Sequence, residues 1–142
     1  MASDKIPSGA SKASMNQTPA LFASIPRTDP LSLFQGDRPN GEQISELLHL
    51  RNKDVARATR LSENSIRYDL RMPTVLESWL RDVATTVTLV AEFFAGDQSK
   101  TLLWFSTPNP RLGNLLPLDM IKMGRVRKLL TFVQTALDEN KR

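Results

Sequence analysis

The sequence feature that most constrains the fold is a long apolar stripe between Pro73 and Gly96. The β-branched residues over 84–90 would also suit a strand, but the placement of the charged residues favours a helix. Large apolar residues recur in steps of four, three, four, three and four, at Leu76, Leu80, Val83, Val87, Val90 and Phe94. Such a period is typical of an α-helix that buries one face. We therefore expect a helix of about five turns over 76–94.

Other periodic segments predict shorter helices on both sides of this one. The apolar residues at 44, 47 and 48 indicate a first helix, and Asn52 is a suitable N-cap for a second. Further helices are expected over 100–105 and from Pro117 onward. A final helix carries the apolar residues Val126, Leu129, Leu130, Val133 and Leu137. The predicted fold class is all-α, with the long helix joining the two halves of the chain.

Residues 1–39 have the composition of a tail. They hold five of the nine prolines, and their apolar residues occur only in short clusters. We expect this N-terminal tail to be flexible or partly docked, ordered only where Leu31, Leu33 and Phe34 meet an apolar surface. It carries no recognisable targeting signal.

The composition argues against catalysis and metal binding. The chain has no cysteine and a single histidine, His49, so thiolate chemistry and histidine-rich metal sites are excluded. No nucleophile stands beside a base, and no glycine loop suits a phosphate. We expect no enzyme activity, no catalytic residues, no metal and no cofactor. The absence of cysteine suits the reducing cytosol, so a cytoplasmic protein is expected. The uncharged stretches are too short to cross a membrane.

Residues 54–68 have the spacing of a helix-turn-helix DNA-binding motif. Ala56 is small enough for two helices to cross closely, and Ser62 is suited to cap the second helix, whose Ile66 would pack against the first. Arg60 stands at the turn position usually occupied by glycine, where a positive φ is costly for a residue with a side chain.

The second helix of this motif is predicted to begin at Glu63 and to end before Pro73, with Ile66 and Leu70 on one face. Residues 40–73 would then form a DNA-binding region. Between 51 and 71 there are six basic and three acidic residues, an excess that suits phosphate contacts. The residues expected to contact DNA are Lys53, Arg57, Ser62, Asn64, Ser65, Arg67, Tyr68 and Arg71. The alternative is a helical hairpin with a solvated charged face.

A second motif begins at a tryptophan and continues through a loop with three prolines. Its order is Trp104, Pro-Asn-Pro at 108–110, Leu-Gly at 112–113, Pro-Leu-Asp at 117–119 and then Gly124. Prolines restrict φ and glycine permits a sharp reversal, so this loop should be rigid. It is either a surface prepared for a partner or only a connection between two helices, with Trp104 in the core.

With the helix-turn-helix, this motif resembles the Xre/MbcA/ParS-type antitoxins over about 41–137, and their toxin-binding domain would occupy 74–142. The resemblance implies a cognate RES-domain toxin that consumes NAD and whose NAD pocket the antitoxin obstructs. It also implies that the complex represses its own operon. A homodimer, or a larger assembly with toxin, would read two half-sites of the operator DNA. The residues expected to bind toxin are Asn109, Arg111, Leu112, Gly113, Asn114, Lys141 and Arg142.

A stand-alone transcriptional regulator with a C-terminal dimerisation domain is the alternative. Residues 122–142 hold six basic and two acidic residues. These basic side chains could meet an anion site on a toxin, or they could favour the dipole of the last helix. A toxin gene in the adjacent reading frame would distinguish the two interpretations.

Overall fold

The computed structural model of the protein describes residues 25–141. Within that range a short antiparallel hairpin precedes six α-helices. The elements are β1 (Phe34–Gln35), β2 (Arg38–Pro39), α1 (Gly41–Leu48), α2 (Asn52–Thr59), α3 (Thr74–Phe93), α4 (Gln98–Phe105), α5 (Pro117–Lys122) and α6 (Val126–Asn140). The predicted all-α class is confirmed, since the hairpin is the only sheet among the described residues.

Helix α3 is the predicted long helix and has 20 residues. Its apolar stripe is buried, and Leu80, Val83 and Val87 have no exposed surface. Thr86 is equally buried, and its hydroxyl donates to the carbonyl oxygen of Asp82 at 2.7 Å. A buried threonine is thus satisfied inside the helix, which allows this β-branched stretch to be helical.

The chain leaves α3 through two residues in the left-handed conformation, Ala95 (φ 56°) and Gly96 (φ 82°). The Gly96 N–H donates to the carbonyl oxygen of Ala91 at 2.8 Å. Bonds of this kind satisfy the carbonyl groups at the end of a helix, and the Ala91 oxygen also accepts the Phe94 N–H at 3.1 Å. The expected stop at Gly96 is therefore confirmed.

The buried apolar side chains form one cluster around α3. Ile44 of α1, Val55 of α2 and Leu129 of α6 are fully buried in it, together with Leu33 from the segment before β1. Helix α3 thus contacts elements from both predicted regions of the chain. The division into a DNA-binding region and a toxin-binding domain stays a prediction, because both regions contribute to the same core.

The segment before β1 docks on this core. Leu31 and Leu33 are buried, and Phe34 is half-buried. The Asp29 carboxylate accepts the backbone N–H groups of Leu33 and Phe34 at 2.8 and 3.0 Å. These contacts offset the entropy lost when the segment becomes ordered. Residues 1–24 of the predicted tail lie outside the described residues.

Helix α2 begins one residue away from its predicted cap. Asn52, the predicted cap, is instead the first helical residue, and Arg51 is the N-cap. The Asp54 carboxylate accepts the Arg51 backbone N–H at 3.0 Å, as in a capping box. At the other end, Arg60 adopts the left-handed conformation with φ 62°. Arg60 thus adopts the conformation usually given to glycine although it carries a side chain, and its N–H donates to the carbonyl oxygen of Ala56.

Replacing Asp54 should measurably weaken this helix start. The hydrogen bond from the Arg51 backbone N–H holds the pKa of the buried Asp54 carboxyl below its ordinary value. The ionised form therefore stabilises the fold above pH ~4, and its contribution is lost as the pH falls through the lowered pKa. Asp54→Ala should lower the free energy of unfolding by about 1 to 2 kcal/mol at pH 7.

Urea unfolding of the intact chain and Asp54→Ala, at pH 7 and near pH 2.5, checks this prediction. The difference in free energy of unfolding between the two proteins should be smaller at the lower pH. Glu63→Ala is the control, because Glu63 is exposed and forms no ion pair with any residue in the described range. A difference that stays the same at both pH values would contradict the assigned role of the carboxylate.

The predicted second helix of the helix-turn-helix is wrong. After Ser62 the chain makes a single 3₁₀ turn, Glu63–Ser65, and the next residue, Ile66, is extended. Leu70, expected on the same buried face as Ile66, has 86% of its surface exposed. No recognition helix is therefore present between α2 and α3, a stretch that the structure describes in full.

Local polar contacts replace the missing helix. The Asp69 carboxylate accepts the Arg71 backbone N–H at 2.9 Å and pairs with the Arg67 guanidinium through two bonds of 2.9 and 2.7 Å. Such Asp-centred turns compete with helical hydrogen bonding. Pro73 also disfavours a helical conformation at Met72. Residues 66–73 therefore run as an irregular connection to α3.

Helices α2 and α5 approach closely, which the sequence pattern does not indicate. Gly124, which follows α5, has φ 77° and faces the backbone carbonyl of Ala58 in α2. A Cβ atom at Gly124 would lie 2.9 Å from the Ala58 oxygen. Only glycine fits both the conformation and the contact. The close contact between Gly124 and Ala58 therefore packs the end of α5 against α2.

Candidate functional site

The loop between α4 and α5 is closed by hydrogen bonds to Asn109. The Asn109 side chain accepts the Arg111 backbone N–H at 2.9 Å, and its own backbone N–H donates to the carbonyl oxygen of Leu115 at 3.0 Å. A 3₁₀ turn, Pro110–Leu112, lies between these bonds. Asn109 is half-buried, so this residue, predicted to bind toxin, chiefly fixes the shape of its own loop.

The chain reverses after this turn through two left-handed residues. Gly113 has φ 68° and Asn114 has φ 66°. Asparagine adopts this conformation more readily than most residues, which explains why Asn114 can follow the glycine. Both residues are exposed, whereas Leu112 is half-buried against the core. The tip of the loop therefore consists of backbone and short side chains.

Arg111 links the loop to α6. Its guanidinium carbon lies 5.1 Å from the centre of the Phe132 ring, and one of its nitrogens lies 3.5 Å from a carboxylate oxygen of Glu139. The side chain nevertheless keeps 61% of its surface exposed. A cation held over an aromatic face in this way is oriented without being covered. Arg111 is therefore an exposed donor whose side chain lies against α6.

Trp104 is half-buried and lies beside Phe105, with the ring centres 5.0 Å apart and the rings nearly perpendicular. It also faces a groove shared with Phe132 and Leu137 of α6. The indole therefore lines the same groove as Phe132, the ring that Arg111 contacts. It is not wholly enclosed by the core.

The basic C-terminal end is only partly described. Lys141 is exposed just after the last residue of α6, and Arg142 lies outside the described residues. Sequence reasoning missed Phe132 and Glu139, which hold Arg111. No sequence signal links positions 111 and 139, because their contact exists only after α6 has folded back beside the loop.

The residues predicted to contact DNA do not share one helix. Lys53 and Arg57 lie on the exposed face of α2, and Arg60 continues that row at the helix end. None of the three forms an ion pair with a residue in the range 25–141. Their spacing of four and three residues brings the charges to one side of α2. This row is the least compensated part of the predicted DNA surface.

The other residues predicted to contact DNA either bond to other groups of the protein or are exposed away from the row on α2. The hydroxyl groups of Ser62 and Ser65 bond each other at 2.8 Å. The hydrogen bonds between Arg67 and Asp69 raise the pKa of the guanidinium and lower that of the carboxyl. The two groups form an ion pair at 2.7 Å, which has no net charge. Asn64 is exposed on the 3₁₀ turn. Arg71 is exposed at the end of the same Asp-centred turn.

Tyr68 holds the irregular connection against α1. A Cβ atom at Gly41 would overlap the Tyr68 ring, and the phenol hydrogen-bonds the Ser45 hydroxyl at 2.9 Å. Burial raises the pKa of the phenol, and the bond to Ser45 opposes this shift. These contacts make Tyr68 a packing residue in this structure and explain why Gly41 begins α1.

Comparisons of the chain with protein-family models, with curated proteins and with solved structures gave no match. Within residues 25–141, no helix combines the length and the apolar character needed to cross a bilayer. Over the same residues, no three His, Cys, Asp or Glu side chains gather where they could hold a metal ion. The loop, the row of basic residues on α2 and the groove beside α6 are the surfaces of this chain on which a partner could bind.

Proposed function

We propose that this chain is the antitoxin of a type II toxin–antitoxin pair, which binds a RES-type, NAD-consuming toxin and blocks its active site. The observation that carries the proposal is the closed Pro-Asn-Pro loop with Arg111 held at its surface. The loop stands between Trp104 and Pro117 in the order found in Xre/MbcA/ParS-type antitoxins. Co-purification with a RES-type toxin encoded in the adjacent reading frame tests the proposal.

The loop has the physical properties that a binding surface requires. Because Asn109 already fixes its shape, little conformational entropy is lost when a partner binds. Arg111 offers a planar guanidinium, which matches carboxylate and phosphate groups through paired hydrogen bonds. A toxin that binds NAD must itself present groups that recognise a pyrophosphate. We propose that Arg111, with Lys141 and Arg142, pairs with acidic groups of the toxin beside that pocket and so covers it.

We propose further that the chain represses its own operon by contacting operator DNA through α2. Since no recognition helix follows Ser62, this role is supported by the exposed residues Lys53 and Arg57 of the predicted surface, together with the neighbouring Arg60. Uncompensated basic side chains contribute to DNA affinity by releasing counterions from the phosphates. The contact would therefore depend strongly on salt.

Removing two charges from this row should weaken DNA binding at every salt concentration. Lys53→Ala/Arg57→Ala is expected to lower the affinity for the DNA upstream of the reading frame. The slope of log affinity against log salt should fall by about two, or one per lost phosphate contact. Fluorescence anisotropy titrations between low and moderate salt measure both quantities.

The matched control is Lys100→Ala/Lys128→Ala, which removes the same charge from exposed positions on α4 and α6. It should leave the slope close to that of the intact chain. Equal slopes for the α2 variant and the intact chain would remove α2 from the DNA interface. A loss of slope in the control as large as in the α2 variant would show that only net charge matters.

A further inference from the structure

An apolar groove lies between the C-terminal end of α3, the end of α4 and one face of α6. Phe93, Trp104, Phe132 and Leu137 line it, and Phe93 has 54% of its surface exposed. The groove encloses about 190 Å³. An apolar cavity of roughly 150 Å³ holds a benzene molecule, so this groove has room for one aromatic ring. Covering this apolar wall would be favourable, because it removes apolar surface from water.

The described chain begins at the rim of this groove. Ile25 lies in a hollow that shares Phe93 and Leu137 with the groove, so the two depressions are continuous. The chain direction is fixed there by one carboxylate oxygen of Glu92. That oxygen accepts the backbone N–H groups of Arg27 and Thr28 and the Thr28 hydroxyl, at distances of 2.8, 2.7 and 2.8 Å. The residues that precede Ile25 therefore start beside the groove.

Those preceding residues have suitable chemistry. Leu21 and Phe22 are the only adjacent pair of large apolar residues among residues 1–24, and no charged residue occurs between Lys12 and Arg27. An extended chain covers roughly 10 Å in the three residues from Ile25 to Phe22. Helix α6 rises by about 7.5 Å over the five steps from Phe132 to Leu137. The pair can therefore reach the middle of the groove.

We propose that residues 20–24 of this chain dock in the groove, with Phe22 covering the exposed edge of Trp104. This inference goes beyond the proposed function, because it requires neither toxin nor DNA. The occupant is the chain's own segment because its tether at Glu92 holds it beside the site at a high effective concentration. Docking removes the Leu21 and Phe22 side chains and the groove wall from water together.

Acrylamide quenching of tryptophan fluorescence in the full chain tests the proposal. Trp79 is only 8% exposed, so Trp104 supplies most of the quenchable signal. Leu21→Ala/Phe22→Ala should raise the quenching constant about twofold, because the indole edge loses its apolar cover. Ile6→Ala/Met15→Ala removes two apolar side chains from the same region and should leave the constant unchanged.

A conservative variant distinguishes docking from a general disturbance. Leu21→Met/Phe22→Leu keeps apolar side chains of similar size, and its quenching constant should stay close to that of the intact chain. Equal quenching of the intact chain and Leu21→Ala/Phe22→Ala would overturn the proposal. Quenching of the intact chain that rises on dilution would assign the groove to a second copy instead. Protection that appears only when a RES-type toxin is added would assign it to the toxin.

Discussion

Gly124→Ala should lower the free energy of unfolding by about 2 to 4 kcal/mol, the largest stability effect expected of a single substitution considered for this chain. Two costs combine at this position. The backbone has φ 77°, and the new Cβ would lie 2.9 Å from the carbonyl oxygen of Ala58. A backbone oxygen inside a helix cannot move away as a flexible side chain can. Helices α2 and α5 would have to separate.

Gly36→Ala is the matched control for this substitution. Gly36 also has a positive φ, 65°, but a Cβ there would have no neighbour within 4 Å. Its cost should be the conformational one alone, about 1 kcal/mol. Urea unfolding at 25 °C measures both variants. Equal costs for the two would mean that the approach of α5 to α2 does not contribute to stability.

Arg111→Ala should weaken toxin binding by about 2 kcal/mol, or roughly 30-fold in Kd. The guanidinium is oriented by Phe132 and Glu139 while most of its side chain remains exposed. Its removal deletes a fixed set of donors at the centre of the proposed surface. Because the loop is closed by Asn109 and not by the guanidinium, the fold should change little. Isothermal titration of each variant with the toxin measures the loss.

Arg127→Ala is the control for the loop variant. Arg127 is also an exposed arginine with a carboxylate partner, Asp82, but it lies on α6 outside the loop. It should bind toxin within about threefold of the intact chain, as expected for a peripheral charge. A comparable loss in both variants would show that the toxin responds to general positive charge. Full affinity of Arg111→Ala would exclude the loop arginine from the interface.

The elements that could be predicted from the sequence are those determined by near neighbours. The period of the long stripe places α3, and the proline at 117 begins α5. Each of these depends on residues within a few positions along the chain, so the pattern contains the necessary information.

The segment after Ser62 could not be predicted in this way. Its capping residue and apolar spacing are those of a helix, but the Tyr68 ring packs on Gly41 and the Tyr68 hydroxyl reaches Ser45 in α1. These partners are more than twenty residues away along the chain. Three-dimensional contacts of this kind override local preference. The contacts of Arg111 with Phe132 and Glu139 could not be predicted for the same reason, because these residues are also far apart along the chain.

The most direct test of the account combines the chain with the product of the adjacent reading frame. The two proteins should co-purify as a stable complex, and the neighbouring protein alone should consume NAD. Adding this chain should suppress NAD consumption in proportion to the complex formed, and Arg111→Ala should require a larger excess for the same suppression. NAD consumption that continues undiminished in the presence of excess chain would contradict the proposal that this protein is an antitoxin.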